Sequence, residues 1–126
     1  MHILIIKAWG FKPTAFAFTW FKLNKNEPQT PFFLPRQSMK LGPGLTTRKN
    51  TEVVILAHRG SPKRLSASVR EEIFAPVREH SRKPDEFFER VEQYCAGPYL
   101  ELFSRTNRKG WTTRGDQAGT FAEAAE

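Results

Sequence analysis

The chain changes its polar and apolar patterning several times, and each change predicts an element. "HILIIKAWGF", His2 to Phe11, is apolar nearly throughout, and Gly10 supplies a helix C-terminal stop. We read a helix ending at Trp9, with a buried strand as the alternative. "TAFAFTWFKL", Thr14 to Leu23, mixes β-branched and aromatic residues over a length that suits a buried strand in a sheet. From Asn24 to Pro43 the character becomes polar, broken by Pro28, Pro31, Pro35 and Pro43, with Gly42 and Gly44 at its end. This predicts a long loop over 24–45, of a length that is usually functional or disordered in a compact domain.

"EVVILAHRG", Glu52 to Gly60, predicts a second strand closed by a glycine turn, and Ser61 to Ser68 a basic loop. "REEIFAPV", Arg70 to Val77, carries a third short strand near Ile73. A helix then opens at Pro84, a favoured first position, with Asp85 and Glu86 complementing its dipole. Phe87, Val91 and Tyr94 recur at i, i+4 and i+7, and Phe88 and Cys95 widen the stripe. Gly97-Pro98 stops the helix, and "YLELF", Tyr99 to Phe103, predicts a fourth strand. Ser104 to Gly119 reads as loop, and 118–126 as a disordered tail. Strands around a single long helix give an α/β class, with that helix as a right-handed crossover. So few helices leave such a sheet half covered, which suggests the later part of a larger fold.

Composition narrows the partners. A chain of 126 residues supports one domain with a small core. The net charge of +7 favours polyanions, whose binding releases counterions. Eleven Phe and three Trp are generous, so part of the aromatic surface is available for binding. Cys95 is the single cysteine, which excludes an intramolecular disulfide and fits a reducing, cytoplasmic compartment. With three histidines and no ligand-spaced pair, no metal site is expected. No stretch approaches the ~20 apolar residues of a membrane span, and we read the apolar start as part of the fold, with no membrane partner.

Glu101 and the Phe103-Ser104-Arg105 run place polar groups at the carboxyl end of a strand, where open α/β sheets bind ligands. Alone, that is an ordinary strand-to-loop transition. The set is more specific. "GLTTRKNTEVVILAHRG", "REHSRKPDEFFERVE" and "GPYLELFSRTNRKGWTTRGDQ" together resemble the adenine N(6)-methyltransferase family typified by the catalytic subunit of the eukaryotic messenger-RNA adenine methyltransferase, the MT-A-seventy family. Its bacterial and phage members match best, and the resemblance runs from Ala8 to about Gln117.

The resemblance implies a partial Rossmann-like S-adenosylmethionine-dependent methyltransferase fold in permuted order, with a mostly parallel sheet. Residues 1–117 would be the C-terminal part of the methyltransferase domain, and 78–117 its cofactor-binding part. It implies that Lys83 pairs with the methionine carboxylate of S-adenosylmethionine and lies near the target base. Arg105 and Asn107 match positions at the cofactor ribose, and Asp116 and Gln117 the pair that reads its adenine. Glu52 matches an acidic residue at the entrance of the target-base pocket, a role held equal to that of a strand-start carboxylate.

The family's catalytic Asp-Pro-Pro-Trp occurs nowhere in these 126 residues, so no catalytic residue is assigned. In the family that motif accepts hydrogen bonds from the adenine amine and aims its lone pair at the sulfonium methyl. Positioning of that kind supplies much of the rate, so the chain alone is expected to be inactive. His80 has no nucleophile to serve and reads as structural. Trp111 reads as a packing or lid residue, Phe32 and Phe33 as base-stacking or loop anchors, and the cations of "RGSPKRLS" and "TTRKN" as phosphate contacts. The expected partners are nucleic acid, DNA ahead of RNA, and a complete methyltransferase subunit. The alternative is a non-catalytic relative that binds nucleic acid or a partner.

Overall fold

The computed structural model describes residues 1–25, 40–79 and 82–120. Their elements are α1 (His2–Ala8), β1 (Lys12–Leu23), β2 (Thr51–His58), β3 (Glu72–Pro76), α2 (Asp85–Tyr94), β4 (Tyr99–Leu102) and β5 (Trp111–Arg114). Phe32, Phe33, His80, Ser81 and the last six residues of the expected tail lie outside the described residues.

The apolar start forms a helix rather than a strand. α1 stops at Gly10, whose positive φ of 81° suits glycine. Arg59 satisfies the carbonyls left open there, donating to the Trp9 oxygen and packing its guanidinium 4.7 Å from the centre of the Phe11 ring.

β1 is the central strand. It pairs antiparallel with β2 and parallel with β3, giving the order β2-β1-β3. β4 and β5 form a second, parallel pair. Three sequence expectations are corrected here. Two of the three strand pairings are parallel, but the long β1–β2 pairing is antiparallel, and the strands form two sheets instead of one. α2 therefore links β3 to a strand of the other sheet, because no strand among the described residues bridges β3 and β4. The predicted loop Ser104–Gly119 contains β5, whose Thr112 and Thr113 are β-branched but whose four residues are too few to show a period.

Burial in β1 is confined to its second half. Phe18, Trp20 and Leu23 are buried, whereas Phe16 is 66% exposed. Phe18, Trp20, Ile73 and Ala75 form the core, and Phe87 and Val91 of α2 pack against it with Val54 of β2. The Trp20 indole N–H donates to the Ala75 carbonyl at 2.8 Å, satisfying a polar group that burial would otherwise penalise. Phe87 meets Phe18 edge-on at 6.0 Å. Pro84 has ψ near 151°, so it is the extended residue just before α2 and not its first helical one. The thiol of Cys95 is half-buried, and burial raises its pKa.

The second sheet is braced by aromatics. Trp111 stacks on Tyr99 at 4.8 Å and meets Phe88 edge-on at 5.2 Å, a packing role. Its indole N–H donates to Glu92 at 2.6 Å. At the carboxyl end of the pair, Phe103 adopts φ 59°, unfavourable for a bulky residue by about 1–2 kcal/mol. Gly115, with φ 150°, lies against it so closely that a Cβ there would stand 2.9 Å from Phe103 Cα. Gly115→Ala is expected to lower stability by about 1–3 kcal/mol, read as a lower midpoint at unchanged slope in urea denaturation. An unchanged midpoint would show that this corner accepts a side chain.

Candidate functional site

The fold gathers several charged residues around the end of β1 and the start of α2. Trp20 stands opposite Glu52 in the β1–β2 ladder. Lys22, two residues on along β1, projects to the same side and reaches Glu52 diagonally. Its ammonium lies 2.9 Å from Glu52 Oε2. Lys83, on the segment that leads into α2, donates to Glu52 Oε1. One carboxylate is thus held between two ammonium groups, with each of the three side chains about a third exposed.

Burial alone would raise the pKa of Glu52. Hydrogen bonds and charge from Lys83 and Lys22 together outweigh that and hold it below the ordinary carboxyl range.

Two cavities meet here. The larger, about 490 Å³, is lined by Trp20, Lys22, Lys49, Glu52, Arg78 and Lys83 among others. Lys40, Arg82 and Glu79 complete its charged wall, so cations outnumber carboxylates. The smaller, about 60 Å³, is lined by Lys83, Asp85, Glu101, Phe103, Arg105 and Arg108 among others. Lys83 and Arg82 face both.

The walls of the smaller cavity are fixed by ion pairs. Asp85 at the start of α2 is bound by Arg108 at 2.6 Å and Arg78 at 3.1 Å. The Arg108 guanidinium also lies 4.2 Å from the Phe88 ring centre. Ser104 is 1% exposed, its hydroxyl 2.8 Å from Glu101 Oε2 and 2.7 Å from the Thr106 carbonyl. These contacts set the direction in which the chain leaves β4 and carries Arg105 to the cavity.

Of the residues singled out by sequence, the structure brings Lys83 to Glu52, and Lys83 and Arg105 to one cavity. Asn107, Asp116 and Gln117 do not line that cavity. Asn107 instead accepts a hydrogen bond from Thr113 at 3.0 Å, and Asp116 and Gln117 are exposed in the turn after β5. The Gln117 carbonyl accepts the Thr120 hydroxyl at 2.7 Å, so the turn continues past Ala118. Sequence reasoning passed over Lys22 and Arg108. The signal for Lys22 was the position two residues beyond a buried tryptophan, on the same strand face.

The donor set fits an anionic group best. Lys83 and Arg105 offer charge-assisted donors for a carboxylate, and Phe103 an apolar surface beside them. Among the described residues, no three His, Cys, Asp or Glu side chains converge as a metal site. No helix there is long and apolar enough to cross a membrane.

The fold and its cavities define an α/β protein with two cation-lined cavities at the carboxyl ends of parallel strands. The MT-A70 family matches residues 2–117, and the chain belongs to that family. Membership implies an adenine N(6)-methyltransferase-type function. A search of curated proteins found no match.

The ionic geometry makes stability depend on pH. A carboxyl whose folded pKa is depressed stabilises the fold fully above its unfolded value, and that contribution is lost as pH falls through the folded value. The stability gap between wild type and Glu52→Gln is therefore expected to be widest near neutrality and to close as pH drops below 4.5, the ordinary value. Urea denaturation across this range measures it. A gap that stays constant with pH would mean that Glu52 charge does not stabilise the site.

Proposed function

We propose that these residues form the cofactor-facing and substrate-facing wall of an S-adenosylmethionine-dependent adenine N(6)-methyltransferase of bacterial or phage type. The observation that carries this reading is Lys83. It faces the small cavity beside Arg105 and the larger cationic cavity beside Glu52, in a chain of the MT-A70 family.

In this reading Lys83 holds the cofactor carboxylate and Arg105 assists at the adjoining part of the cofactor. Asn107, Asp116 and Gln117 contribute to its nucleoside end. Glu52 holds Lys83 in the free protein and borders the place of the target base. Bound, the cofactor supplies an electrophilic methyl group. The protein's part is to hold the groups in line, which is the main lever for a direct displacement. These residues do not include the Asp-Pro-Pro-Trp acceptors that would hold the adenine amine. Methyl transfer then requires those acceptors from outside this stretch, a partner methyltransferase subunit being one source.

The substrate is nucleic acid. The larger cavity gathers Lys22, Lys40, Lys49, Arg78, Arg82 and Lys83 against Glu52 and Glu79, suited to a phosphate backbone. DNA is favoured over RNA by the likeness to bacterial and phage members. The same cationic wall supports the second reading, a non-catalytic module that binds nucleic acid.

Two measurements test this. Titration calorimetry is expected to show S-adenosylmethionine binding, weakened about tenfold or more by Lys83→Met through loss of a charge-assisted hydrogen bond. Absence of binding, with nucleic acid still bound, would favour the second reading. A methyl-transfer assay on adenine-containing DNA is expected to show little or no turnover by the chain alone. Turnover comparable to a relative that carries Asp-Pro-Pro-Trp would overturn the role given to those acceptors.

A further inference from the structure

Lys83 has two claims on its charge. One is the Glu52 carboxylate, to which it donates. The other is whatever anion enters the smaller cavity that it lines with Arg105. Its ammonium has three donors, but a donor and the share of charge committed to Glu52 are withdrawn from an anion in the smaller cavity. Glu52 is in the opposite position, since it has two cations. Lys22 binds its second oxygen at 2.9 Å and lines only the larger cavity. Lys22 is itself steadied by the face of Trp20, 5.1 Å from the ring centre.

We propose that Lys22 is a positioning residue that governs how readily Lys83 leaves Glu52 for the cofactor carboxylate. The inference rests on the reading of Lys83 as the cofactor anchor. When Lys83 turns to the cofactor, Glu52 keeps its charge compensated through Lys22. Without Lys22, releasing Lys83 leaves a half-buried carboxylate with neither ammonium, so Lys83 stays on Glu52 and cofactor binding weakens. Neutralising Glu52 removes the competition, and Lys22 then ceases to matter. Lys22 thus acts on a cavity that it does not line. By linkage, an anion in the larger cavity that draws Lys22 away from Glu52 weakens cofactor binding by the same factor as the cofactor weakens its own.

The test is a double-mutant cycle read by calorimetry with two ligands. S-adenosylhomocysteine carries the amino-acid carboxylate, and methylthioadenosine lacks it. Lys22→Met is expected to weaken S-adenosylhomocysteine about fivefold or more, the lower end of measured couplings between sites. It leaves methylthioadenosine unchanged. Glu52→Gln tightens S-adenosylhomocysteine, and adding Lys22→Met to Glu52→Gln changes nothing further. Lys22→Arg, which keeps the charge, binds as the wild type does. Thermal unfolding checks that each variant folds, and Lys22→Gln replaces Lys22→Met if the latter does not.

Wild-type affinity in Lys22→Met overturns the proposal, and so does equal weakening in the Glu52→Gln background, which would indicate a direct or merely structural effect. Wild type that binds methylthioadenosine but gains nothing from the carboxylate overturns the reading of Lys83 and this proposal together. Normal wild-type binding with an unresponsive Lys22→Met overturns this proposal alone.

Discussion

The pairing of Trp20 with Glu52 across β1 and β2 is the constraint from which the site follows. Side chains alternate along a strand, so this register puts Phe18, Trp20 and Lys22 on the face that also carries Val54 and Glu52. A slip of one residue would send Glu52 to the other face and leave Lys22 beside an apolar neighbour. The register is held from the far side by Trp20, whose indole bonds the Ala75 carbonyl and ties β3 to β1. β3 then delivers the chain toward Lys83 at the end where β1 also finishes. One buried tryptophan therefore positions the strand that bears Lys22, the carboxylate opposite it, and the approach of Lys83.

That face grades from apolar to charged along β1. At Phe18 it is covered by Phe87 and Val91 of α2, and by Lys22 it is open to solvent and ringed with cations. The gradient explains why the ion pairs form where they do. Glu52 is far enough from the core to stay charged and close enough to be partly desolvated, which strengthens its hold on both lysines. The opposite face of the sheet has no such cover among the described residues. Val53 and Phe74 are exposed there, Phe16 is exposed beyond a bulge that breaks the alternation between it and Phe18, and Ile3 and Leu4 of α1 and Trp9 after it are further exposed apolar residues.

Much of the local structure was legible because it rests on local signals. Gly10 ends α1, Pro84 precedes α2, and Phe87, Val91 and the flanking Phe88 mark its inner face. β1, β2, β3 and β4 fall within a few residues of their apolar runs. Pairing was not legible. "TAFAFTWFKL" has aromatics at both odd and even positions, so its pattern does not say which face is inside or in what register it meets β2. β5 was missed because Trp111 to Arg114 sits among Gly, Lys and Asn residues that read as loop. Lys83 and Glu52, thirty-one residues apart in sequence, were brought together only by the family resemblance, and Lys22 had no such pointer.

The structure also answers a question of charge at the start of α2. A cation beside a helix N-terminus opposes the dipole and calls for an anion. Asp85 in the first turn is engaged by Arg78 and Arg108, so the anion that Lys83 meets comes from another strand, as Glu52. In the proposed reading, a cofactor carboxylate competes with that partner for Lys83. A competitor that held only Lys83 would oppose binding outright. One that also holds Lys22 can yield, because the carboxylate left behind still has a cation. In the proposed reading, two lysines on one glutamate allow an ion pair formed in the free protein to open toward a ligand.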